Sequence, residues 1–155
     1  MIYDQLQPGL PVWDVCCDHG HVGLWAYVSK QFPEIHFVDQ AAHLVKRLEE
    51  LYQQRLGPGP WQGANFHPVA GQQVAQAVTG NLVIAGVGGI TVREIIEGLD
   101  KNGKLCASRL VLSPHGDENF LQESPALVKN YAMHSKECVQ EKTRERPIFV
   151  YSKIR

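Results

Sequence analysis

Apolar and polar positions along the chain fall into two alternating rhythms. Short apolar runs at residues 12–17, 35–39, 81–85 and 109–113 have the length of buried strands, and 65–69 offers a weaker one. Longer stretches between them repeat at helical spacing. Leu24, Trp25 and Val28 lie on one side of a helix predicted over 22–31. Leu44, Val45, Leu48, Leu51, Tyr52 and Leu56 line one face of 41–56, and Val92, Ile95, Ile96 and Leu99 form the stripe of a third helix.

Breakers punctuate these elements. Gly57-Pro58-Gly59-Pro60 ends the second helix, because proline cannot continue the hydrogen-bond ladder. Residues 72–78 predict a weak helix. After Gly86-Val87-Gly88-Gly89, the run from Thr91 to Glu94 has the S/T-x-x-E form of a capping box. Pro125 should interrupt a helix over 118–129. Beyond Tyr131 no helical stripe remains, and 133–139 and 148–154 read as two strands joined by a charged turn over 141–146. Strands alternating with helices predict an α/β fold, a mainly parallel sheet closed by a C-terminal antiparallel hairpin. A chain of 155 residues suits a single domain spanning 1–155.

Charge narrows the class only locally. Lys plus Arg total 15 against 16 Asp plus Glu, so no general basic field advertises nucleic acid. The distribution is uneven: residues 129–155 hold seven basic side chains and three Glu, a bias able to steer a polyanion. Cys16, Cys17, Cys106 and Cys138 show no C-x-x-C spacing, and adjacent cysteines do not readily bridge, which fits a reducing cytoplasm. No apolar run approaches the ~20 residues of a membrane helix, and no secretory signal pattern opens the chain. A cytoplasmic protein with no membrane partner is expected.

The candidate chemistry sits where the first strand ends. Asp14, Asp18, His19 and His21 gather around Gly20 in the first strand-to-helix turn, the usual place for a nucleotide-like cofactor in an open α/β sheet. Asp39 closes the second strand, where a carboxylate can hold two ribose hydroxyls. A dinucleotide turn would need G-x-G-x-x-G to admit a pyrophosphate. Negative charge disfavours that group but suits a sulfonium and an ammonium, so the turn favours S-adenosylmethionine over NAD. Asp18-His19-Gly20-His21 also invites a metal reading, but His36, His43, His67, His115 and His134 are scattered, and no metal site is expected.

Three motifs carry a family resemblance. Asp14-Val-Cys-Cys-Asp18-His19, Ile84-Ala85-Gly86-Val87-Gly88-Gly89-Ile90 and Leu110-Val-Leu-Ser-Pro114-His115 resemble the D-I-G-S-D-H, I-A-G-M-G-G and L-I-L-Q-P-N motifs of the bacterial tRNA adenine(22)-N(1) methyltransferases, in the same order. The resemblance implies a Rossmann-like class I methyltransferase sheet, S-adenosylmethionine as cofactor and tRNA as substrate. It places the cofactor against Asp14, Cys16, Asp18, Gly20, Asp39, Gln40, Gly86 and Gly88. Asp18 would stabilise the cationic ring that forms on adenine N(1), with His19 orienting it or standing in for it. The departures are specific: Cys16-Cys17 replace the family's Gly-Ser, Ala70 stands where an adenine-contacting Asp is expected, and the family's helical C-terminal extension does not follow the hairpin. A small-molecule acceptor and a non-catalytic cofactor- or RNA-binding module stay open as alternatives. Oligomeric state is not legible in the sequence.

Overall fold

Alternating side chains on short strands build a sheet buried on both faces. The computed structural model describes every residue except Lys142. In chain order its elements are β1 (Val12–Val15), α1 (His21–Ser29), β2 (Ile35–Val38), α2 (Ala42–Leu56), β3 (Ala64–His67), a 3-10 turn (Gly71–Gln73), β4 (Asn81–Ala85), α3 (Gly89–Lys101), β5 (Arg109–Ser113), α4 (Glu118–Gln122), α5 (Pro125–Asn130), β6 (Tyr131–Glu141) and β7 (Arg144–Lys153). The seven strands lie in the order β3-β2-β1-β4-β5-β7-β6. β1 to β5 run parallel, and β7 joins β5 and β6 antiparallel.

Period-2 alternation assigns each strand residue to a face. Val12, Ile35, Phe37 and Val83 pack with Leu24 and Ala26 of α1 and Leu48 and Tyr52 of α2. Trp13, Val15, Leu82 and Ile84 pack on the other face with Val92, Ile95, Ile96 and Leu99 of α3 and Leu121 of α4. Chain order reverses between β1 and β4, so a crevice opens at the carboxyl ends of those strands, where such sheets bind ligands.

Four sequence expectations change. α1 buries Gly23, Leu24 and Ala26, while Trp25 and Val28 are 68% and 52% exposed, so of the apolar side read from periodicity only Leu24 faces the core. Gly23 explains the shift: a Cβ there would lie 2.2 Å from the Phe37 ring, so the helix packs on its smallest residues. The helix over 72–78 does not form, because Val78 spends its backbone on a parallel bridge to Leu105, donating to the Lys104 carbonyl and accepting from Cys106. The capping box also fails. α3 starts at Gly89 with Gly88 as its N-cap and no side-chain cap, which puts Thr91 inside the first turn. The C-terminal strands are longer than predicted, β6 reaching Glu141 and β7 starting at Arg144, so they take in most of the predicted turn. Of that turn, Lys142 lies outside the described residues. Pro125 breaks its helix as expected, leaving α4 and α5.

Candidate cofactor cleft

The first turn is built from backbone in unusual conformations. Cys16 and Asp18 have φ of 59° and 40°, and Gly20 has 60°. Left-handed backbone costs an L-residue roughly 1–2 kcal/mol, so two such residues within three positions must be held by their surroundings. The holding contacts are present. The Cys16 amide donates to the Val38 carbonyl at 2.9 Å, and the Asp18 amide donates to Asp39 Oδ2 at 3.4 Å. Asp39 Oδ1 accepts from the Ala41 amide at 2.9 Å. The carboxylate at the end of β2 therefore clamps both the first turn and the start of α2.

Below the turn lies Asp14. It is on the α1 face, 5% exposed, and its Oδ2 accepts from the Gly23 amide at 2.9 Å in the first turn of α1. Burial pushes its carboxyl up to about 7, against the lowering effect of the Gly23 hydrogen bond, and the nearby Asp39 charge raises it further. Burial likewise raises Cys16 to about 11, so this thiol is protonated and inert near neutrality. Cys17 is buried and raised beyond that by the same cause.

Above the sheet, a cleft of about 340 Å³ opens between this turn and α3. Cys16, Asp39 and Gln40 form one wall, and Gly71 and Gln72 close the end past β3. Val87, Thr91 and Glu94 form the wall opposite. No Lys or Arg lines it, and Asp39 and Glu94 give it two carboxylates. Thr91 and Glu94 were missed as site residues because the sequence pattern spent them on a cap; a start of α3 at Gly89 turns both toward the cleft. Gly71 admits the chain here, since a Cβ would meet Val15 Cγ1 at 2.6 Å. Gln72 stands beside the Ala70 position where the sequence lacks an Asp.

The remaining predicted residues are distributed around the cleft. Gly86 has φ of 80° and opens the turn after β4, and Gly88 caps α3. Gly89 packs so closely on the following loop that a Cβ would lie 2.2 Å from the Asp117 carbonyl oxygen, and its amide donates to the Gly116 carbonyl at 3.0 Å. Asp117, itself at φ 55°, directs its carboxylate toward Gly88. Ile90, the last residue of the second motif, and Phe120 of α4 are apolar and 45% and 46% exposed. Asp18 and His19 point away from the cleft. His19 Nδ1 lies 2.7 Å from Asp18 Oδ2, and both side chains line a neighbouring groove against α2.

Among the described residues no group of three or more His, Cys, Asp or Glu is arranged to hold a metal ion. His36 and His67 meet at 3.0 Å, but His36 is stacked on Trp13 with ring centroids 3.8 Å apart, and burial lowers the pKa of both imidazoles. Among the described residues no helix is long and apolar enough to cross a membrane.

The strand order, the reversal at β1 and β4 and an acidic β2 end together define a Rossmann-like methyltransferase fold. The chain belongs to a family described as a methyltransferase domain, whose profile matches residues 1–149. No curated protein matches it in sequence. Among solved structures it is similar to the B. subtilis M1A22 tRNA methyltransferase TrmK, with a TM-score of 0.81 at 15% identity, covering 97% of this chain and 63% of that one. M. capricolum TrmK in complex with S-adenosyl-homocysteine gives 0.79 at 13% identity, covering 98% and 66%. Magnesium protoporphyrin IX methyltransferase from Synechocystis PCC 6803 with bound SAM gives 0.71 at 12% identity, covering 97% and 72%. The chain thus spans about two thirds of the length of the two tRNA enzymes.

Proposed function

We propose that the chain transfers a methyl group from S-adenosylmethionine to adenine N(1) in tRNA. The observation that carries the cofactor assignment is the charge of the cleft: Asp39 and Glu94 line it, and no basic residue does. A pyrophosphate would meet uncompensated repulsion there, whereas an ammonium and a sulfonium are attracted. Bound S-adenosylmethionine supplies an electrophilic methyl group. Asp39 and Gln40 would hold the ribose, Gln72 the adenine end, and the turn from Cys16 to Gly20 the amino-acid end, with Asp14 positioning that turn through Gly23.

The chain's own contribution to the reaction is mostly alignment. Gly86 to Gly89 leave room for an acceptor ring beside the cleft, and orientation of nucleophile and carbon can supply a large part of the barrier reduction. Methylation makes the acceptor ring cationic. Asp18, whose carboxylate pairs with His19 in the groove beside the cleft, is proposed to offset this developing charge through the field it sets up across the turn, without contact with the ring. The acceptor's identity draws on the tRNA methyltransferases that share the fold and on the basic hairpin. β7 leaves β5 at Phe149, paired with Leu112, and continues past the carboxyl end of β5 for five more residues, Arg144 to Ile148, paired only with β6. That ribbon rises about 17 Å on the side of the cleft, at ~3.4 Å per residue.

The deciding experiment is labelled methyl transfer to unmodified tRNA, with the modified base identified by mass spectrometry. N(1)-methyladenosine is expected. Cofactor binding without methylated tRNA at high protein concentration would transfer the assignment to a small-molecule acceptor or a non-catalytic module.

A further inference from the structure

A second cavity is separate from the cofactor cleft. It is a groove of about 380 Å³ between the first turn and α2, and the backbone of the turn divides the two. Asp18 shows the division: its amide is bonded to Asp39 on the cleft side, and its carboxylate lines the groove.

The groove combines three kinds of surface. Leu44 and Leu51 give it an apolar floor. Arg47 and Arg55 lie on its α2 wall, eight residues apart and so on one helical face, and neither is in an ion pair among the described residues. At its mouth the rings of His19 and His21 lie parallel within 5°, centroids 5.6 Å apart. One turn beyond His21, Trp25 stands 68% exposed on α1 with Val28 at 52%. Asp18 and Glu50 also line the groove, so its charge is mixed, and the anion site is confined to the two uncommitted guanidiniums. With the apolar floor they suit a group that is anionic at one end and flat and apolar at the other. An aromatic approach beside them suits unstacked bases, which single-stranded RNA presents.

We propose that this groove binds a nucleotide adjacent to the methylated one in the RNA substrate, with Arg47 and Arg55 on its phosphates and the His19, His21 and Trp25 surface against bases. The inference rests on the tRNA reading and extends it. Since the first turn separates groove from cleft, a strand crossing that turn places one nucleotide at the methyl group and its neighbour on α2. The α1 and α2 side of the turn thereby becomes part of the RNA path, in addition to the hairpin on the far side.

The test uses the full chain and measures tRNA affinity over a salt series. Reversal by Arg47→Glu with Arg55→Glu should weaken tRNA binding at least tenfold and flatten its salt dependence, because two phosphate contacts no longer release counterions. S-adenosylmethionine affinity should be unchanged, which also reports that the variant is folded. Lys101→Glu with Lys129→Glu makes the same change in net charge on the opposite face of the sheet and should weaken binding less than threefold. A second readout needs no substitution in the groove: tRNA should shield Trp25 from iodide quenching, with Trp25→Phe giving the background of the other tryptophans. Equal losses in the two reversal variants, or quenching unaffected by bound tRNA, would overturn the groove assignment while the wild type still methylates tRNA. If the wild type neither binds nor methylates tRNA, the tRNA reading fails and the groove assignment goes with it.

Discussion

At Asp14 a carboxyl is kept on the α1 face of the sheet with the Gly23 amide as donor, and its pKa is pushed up to about 7 by burial. Its proton is therefore linked to stability. Below pH ~4 folded and unfolded chains both hold it, and between there and 7 the folded chain binds more proton, so stability falls as pH rises and the loss is complete above 7. The size is at most about 4 kcal/mol, from three pKa units at 1.36 kcal/mol each. Asp14→Asn, which can still accept from Gly23, should make stability less dependent on pH between 5 and 8, as measured by urea denaturation at each pH. Asp39 is the complementary case, a half-exposed carboxylate with both oxygens in use. Asp39→Ala should weaken S-adenosylmethionine binding by ~1.5–3 kcal/mol, the loss typical of a charge-assisted contact, as read by calorimetry. Unchanged affinity would remove the ribose role. Asp18→Asn keeps the shape and removes the charge, so turnover of bound tRNA should fall while tRNA affinity is kept or rises, the lost carboxylate being one that lines the groove beside Arg47 and Arg55.

At the scale of elements, the junction of α3 with the loop after β5 fixes the acceptor side of the cleft. Gly89 has no room for a side chain against the Asp117 backbone. Gly89→Ala must therefore push that loop outward, at a cost of ~1–3 kcal/mol in thermal or urea stability. Methyl transfer should fall more than cofactor affinity, because the moved backbone borders the acceptor position rather than Asp39. The elements that were legible in the sequence are those whose own residues decide them. β4 and β5 match their predicted limits, and α2 follows its apolar stripe to Leu56. Others are decided by partners distant in the chain. α1 packs on Gly23 because Phe37 of β2 fills the space next to it, and 72–78 forms no α-helix because Val78 bonds to the 104–106 segment. The candidate site divides in the same way. Asp39, Cys16 and Gln40 were readable from their place at strand ends, whereas Thr91, Glu94 and Gln72 come to the cleft only through the packing of α3 on the Gly71–Gln73 turn.

For the whole molecule, charge is distributed by function more than by total. The cleft is walled by carboxylates, while Arg47 and Arg55 lie to one side and the hairpin's Lys136, Arg144 and Arg146 to the other. With a formal net charge of −1, tRNA binding has to come from these local cations, so affinity should fall steeply between 50 and 200 mM salt while cofactor affinity hardly moves. A flat salt response would exclude phosphate contacts as the source of binding.

The adjacency of β1 and β4 also has a consequence in time. Val15 and Ile84 stand side by side across the crevice although roughly seventy residues separate them along the chain. β1 can leave the ribosome long before its neighbour exists, and a pairing this distant must close a long loop before it gains anything in return. The half of the sheet formed by β1, β2 and β3 therefore waits, one edge of β1 unpaired, until β4 arrives. Nascent chains ending before Asn81 should expose that edge to chaperones or to one another, and the capacity to bind the cofactor should emerge abruptly rather than grow with chain length.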